Sequence, residues 1–69
     1  MAWSYNLLWK MLIDRNMKKT ELAKHAHIYP QTMANMGKGE PVSMDTLGRI
    51  CKVLECQVGD IVEYIPDES

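Results

Sequence analysis

Apolar residues along the chain recur at helical spacing, and breakers cut that pattern into five pieces. The first, residues 4–16, carries Leu8, Met11 and Leu12 at i, i+3, i+4, with Ser4 placed to cap it. Leu7, Trp9 and Ile13 fall outside that stripe, so this helix is apolar over most of its circumference. The surplus must pack on another element, on the tail or on a partner chain. The second piece, residues 20–26, opens on Thr20 as N-cap and turns Leu22, Ala23 and Ala26 inward. A turn, Ala26-His27-Ile28-Tyr29, leads to the third piece, residues 30–36. Pro30 suits a first helical position and pushes Tyr29 into the extended backbone an N-cap requires. Met33 and Met36 form the buried face of this helix, and Gly37 and Gly39 end it.

The fourth piece, residues 44–54, gives the cleanest signal. Leu47, Ile50, Cys51 and Leu54 lie at i, i+3, i+4, i+7, Ser43 caps the helix, and Asp45 meets the positive end of its dipole. A last helix is predicted over residues 58–64 from Val58, Ile61, Val62 and Ile65, with Asp60 in its first turn. Pro66 stops it, and residues 67–69 form a frayed tail. No stretch shows the alternation of a strand. The prediction is a single all-α domain over residues 1–69, a compact five-helix bundle. The two short helices within residues 20–36 have helix-turn-helix spacing.

Sixty-nine residues suffice for one thin core. Cys51 and Cys56, five apart, would diverge by about 140° on a continuous helix. They read as small core hydrophobes rather than as a disulfide, and two thiols without a second CxxC pair do not make a zinc site. No signal peptide or membrane span is evident, so the expected location is the cytoplasm, at the nucleoid. His25 and His27, two apart, face different sides of a helix and form no metal pair. The six methionines read as adaptable core filling. Without a Ser/His/Asp order, a phosphate loop or a nucleotide fingerprint, the chain reads as no enzyme, with no cofactor and no small-molecule ligand.

The net charge of −1 hides an asymmetry. Residues 1–39 hold six basic residues against two acidic, and residues 40–69 hold two basic against seven acidic. One half can face phosphate while the other repels it.

The run Glu21-Leu22-Ala23-Lys24-His25-Ala26-His27-Ile28-Tyr29-Pro30-Gln31-Thr32-Met33 resembles the Cro and phage-repressor type, or lambda-repressor-like, helix-turn-helix family. The pattern there is roughly E-L-A-x-x-x-G-[IV]-S-x-x-T-[ILM]. Met36-Gly37-Lys38-Gly39-Glu40 is similar to that family's exit from its recognition helix, and residues 43–54 with 58–62 to its last two helices. Two positions depart from the pattern. His27 stands where the family has glycine and a positive φ, and Tyr29 stands where it has a Ser or Thr cap.

The resemblance implies a DNA-binding domain whose third helix enters the major groove, with double-stranded DNA as partner. Gln31 and Asn35 then take base-reading positions, where side-chain amides can pair with adenine N6 and N7. Thr32 offers a methyl to thymine or a hydroxyl to phosphate. Lys19 and Thr20, at the mouth of the second helix, and Lys38, after the third, are expected on the DNA backbone, with Tyr29 as a further phosphate donor. The implied function is a transcriptional regulator, by preference a repressor. Such modules usually read two half-sites as a dimer. A homodimer surface is expected from Trp3, Leu7, Trp9, Ile13, Val62, Tyr64 and Ile65. The alternative is a protein-interaction module, such as the antitoxin of a toxin–antitoxin pair, using the apolar surplus and the acidic second half.

Overall fold

A computed structural model describes residues 2–66. Strand β1 (Ala2–Ser4) is followed by α1 (Asn6–Asp14), α2 (Lys19–Ala26), α3 (Pro30–Gly37) and α4 (Met44–Leu54). A 3₁₀ turn (Val58–Asp60) and strand β2 (Glu63–Ile65) complete the order. Among the described residues, four helices and one small antiparallel sheet thus replace the expected five-helix bundle. The sheet pairs Ala2 with Ile65, Trp3 with Tyr64 and Ser4 with Glu63.

The predicted helix over residues 58–64 fails for a readable reason. Val58, Ile61, Val62 and Ile65 are all β-branched, and Gly59 interrupts them. Both features weaken a helix. The competing arrangement gains a cross-strand aromatic contact, Trp3 edge-on to Tyr64 at 5.1 Å. Residues 67–69, expected as a frayed tail, lie outside the described residues.

Pairing in β1 also moves the start of the first helix. Ser4 belongs to the strand, and Tyr5 is the N-cap of α1 by backbone position. Ser4 still serves the helix end, because its Oγ accepts from the Asn6 N–H at 3.3 Å. Leu8 and Leu12 are buried and Met11 packs beside them, as their spacing implies.

Helix α2 begins one residue before the predicted start. Lys18 is its N-cap, and the Glu21 carboxylate accepts the Lys18 N–H at 3.2 Å. Thr20 therefore lies inside the first turn and does not cap it. At the other end His27 is left-handed, at φ 56° and ψ 49°, and the Ile28 N–H reaches back to the Ala23 carbonyl at 2.9 Å. This closure drops Ile28 into the core. Tyr29 is extended, at φ −66° and ψ 145°, and Pro30 opens α3, as the sequence requires.

Helix α4 has its predicted bounds. Ser43 Oγ accepts the Thr46 N–H at 3.1 Å, and Leu47, Ile50 and Leu54 are buried. Helix α2 packs against both α3 and α4. Leu22, Met36, Ile50, Leu54 and Ile61 fill the centre.

The cysteines correct another expectation. Helix α4 ends at Leu54, and Glu55 turns left-handed at φ 53°. The Cys56 N–H then donates to the Cys51 carbonyl at 3.1 Å, so residue 56 folds back onto the last helical turn. Thiols that would diverge on a continuous helix are neighbours here. Both are free and pack against the core. Burial first, and then the adjacent Cys51, push the Cys56 thiol up from its ordinary value. Among the described residues, no helix is long and apolar enough to cross a membrane.

Candidate nucleic-acid interface

Helix α3 is held by its inner face. Met33 and Met36 are buried, which turns Gln31 and Ala34 to solvent. Thr32 and Asn35 sit at the flanks, half-buried. Gln31 Nε2 donates to Asn35 Oδ1 at 3.0 Å, one turn along the helix. That bond links both amides and exhausts neither. Gln31 keeps its carbonyl oxygen and one N–H, and Asn35 keeps its NH₂ and a second lone pair. Each amide retains a donor and an acceptor side by side, the pattern that adenine N7 and N6 present in a major groove.

Lysines flank this face. Lys38 is the C-cap residue of α3 and is exposed. Lys19 opens α2, with Thr20 beside it, and both border a shallow apolar cavity shared with Ala23, Lys24 and Pro30. Tyr29, four-fifths exposed, stands at the start of α3 with its hydroxyl free of the core. The expected base-reading and backbone residues therefore belong to α2, α3 and the residues bordering α3.

Two residues of this region carry no role at the DNA interface in the sequence reading. Arg49 of α4 donates from Nη1 to the His27 carbonyl at 3.2 Å and from Nη2 to Asp45 at 3.0 Å. It ties α4 to the strained residue of the turn. The Asp45–Arg49 spacing is readable in the sequence, but the reach to His27 is not. Trp9 is the second. It is half-buried, tilted against Tyr5 at 6.3 Å, and carries Lys19 Nζ 4.2 Å above its ring. Trp9 is thus engaged within the chain, which leaves only part of it for the expected dimer surface. Leu7 and Val62 are also half-covered, whereas Trp3, Ile13, Tyr64 and Ile65 remain exposed. No group of three or more His, Cys, Asp or Glu able to hold a metal occurs among the described residues.

Comparison with known proteins adds three findings. A family model described as the Cro/C1-type HTH DNA-binding domain matches residues 7–67. The chain is 48% identical over 64 residues to YozG of Bacillus subtilis (strain 168), described as an uncharacterized HTH-type transcriptional regulator. That match spans 86% of this chain and 73% of YozG. The crystal structure of the transcriptional regulator VanUg superposes with a TM-score of 0.91 at 48% identity, covering 96% of this chain and 88% of the other.

Proposed function

Because the chain belongs to the family of Cro/C1-type helix-turn-helix DNA-binding domains, whose members matched here are transcriptional regulators, we propose that it binds specific double-stranded sequences with α3 in the major groove and acts as a repressor. The observation that carries the reading is the Gln31–Asn35 amide pair on the outer face of α3, with a lysine before and after it. Gln31 and Asn35 read adenine, and Thr32 contacts a thymine methyl or a nearby phosphate. Lys19, Thr20, Tyr29 and Lys38 hold the DNA backbone and set the register without reading sequence. Repression needs no more than occupancy of a promoter.

A single module of this size covers little DNA, so the working form is a homodimer on two half-sites about 34 Å apart. Trp3, Ile13, Tyr64 and Ile65 are the residues for that contact, since they are large, apolar and uncovered. The antitoxin alternative gains no support from the relatives' names, and no feature of the fold favours it.

The test compares Gln31→Ala, Asn35→Ala and Lys38→Ala on a selected site and on random DNA. The two amide variants lose about 1–3 kcal/mol on the selected site and little on random DNA. Lys38→Ala weakens binding to both alike. Equal losses on both DNAs in all three variants would overturn the reading.

A further inference from the structure

Lysine is a flexible side chain, and holding its ammonium in one place costs rotamer entropy. At Lys19 that freedom is already restricted. Its Nζ lies 4.2 Å from the centroid of the Trp9 ring, within the range where the negative face of an indole attracts a cation. Trp9 is itself held. It leans on Tyr5 at an interplanar angle of 58°, and Tyr5 is buried with its hydroxyl donating to the Glu40 carbonyl at 2.7 Å. Glu40 follows the exit of α3, two residues after Lys38, and its own N–H returns to the Asn35 carbonyl at 3.0 Å. A continuous path therefore runs from the end of the DNA-reading helix, through Tyr5 and Trp9 of the N-terminal segment, to the first residue of α2.

We infer that Trp9 is a positioning residue for DNA binding, whose ring holds the Lys19 ammonium at the mouth of α2 where a phosphate is met. This rests on the DNA-binding reading above. Trp9 touches no DNA and acts through Lys19. The ring lowers the freedom Lys19 loses on binding, and the Tyr5–Glu40 contact keeps the ring in register with α3.

The test is a double-mutant cycle on one duplex at fixed salt, with Trp9→Leu, Lys19→Met and both together. Trp9→Leu weakens binding about two- to five-fold, the scale of an exposed cation–π contact. In the Lys19→Met background the same change has no further effect. Trp9→Phe, which keeps an aromatic face, restores most of the affinity. Lys19→Met reduces the salt slope by about 1, whereas Trp9→Leu leaves it unchanged because the charge remains. If Trp9→Leu does not fold, the wild-type protein still decides the contact by NMR. The Lys19 ε-methylene protons must show an upfield ring-current shift, which Trp9→Phe reduces. Equal losses from Trp9→Leu with and without Lys19, a Phe variant as weak as Leu, a silent Lys19→Met, or unshifted Lys19 protons each overturn the role of Trp9. Failure of the wild-type protein to bind any duplex at low salt overturns the DNA-binding reading itself.

Discussion

At His27 a side chain occupies backbone space that favours glycine. Its φ of 56° and ψ of 49° end α2 and turn the chain toward α3. A left-handed non-glycine residue costs roughly 1 kcal/mol, with histidine among the more tolerant types. The departure from the family's glycine is therefore strained rather than forbidden. His27→Gly relieves the strain, less the entropy glycine adds to the unfolded chain, and should raise Tm by a few degrees. Its carbonyl, which accepts from Arg49, is retained. Calorimetry checks this, and a lower Tm would mean that the imidazole itself stabilises the turn. The positive φ at 27 was legible because the residue falls on a glycine position of a known pattern. Asn16 and Glu55 share the conformation, at 57° and 53°, and no pattern marks them.

Single elements were legible in proportion to how much of their stabilisation is local. Helix α4 was read to the residue because its apolar stripe is regular and Ser43 can accept the Thr46 N–H. Ser43→Ala should cost about 1 kcal/mol and lower Tm by roughly 4–8 °C in a domain this small. An unchanged melting curve would show that the cap is redundant. The chain termini were misread for the opposite reason. Strands of three residues are too short to alternate, and the partner of β2 lies at the other end of the sequence. The spacing of Val58, Ile61, Val62 and Ile65 fits a helix, and β-branching, Gly59 and the pairing with β1 together decide against it. The stop after Leu54 was legible, but the left-handed turn at Glu55 that folds Cys56 back was not, since no glycine marks it. Thr20 loses its expected capping role because α2 starts one residue earlier, with Lys18 as N-cap and its N–H held by Glu21.

For the whole molecule, the pieces form a surface with a direction. Basic residues concentrate in the part of the chain that holds α1, α2 and α3, and acidic residues in the part that holds α4 and β2. The outer face of α3 was legible in advance, because Met33 and Met36 fix which side is buried. The i,i+4 spacing of Gln31 and Asn35 is readable in the sequence as well, whereas the Arg49 tether and the Lys19–Trp9 contact needed the fold, since each joins groups on different elements. The same holds for the exposed apolar residues, where sequence marked seven for a dimer and the fold leaves four uncovered. The central claim is that this surface reads DNA sequence through α3. Selection of bound duplexes from a random pool, at low and at physiological salt, tests it most directly. The prediction is one enriched motif with adenines at the read positions, in two symmetric half-sites, and affinity that falls with salt at a slope of about −2 per domain from Lys19 and Lys38. A pool that binds without enrichment at either salt would contradict it.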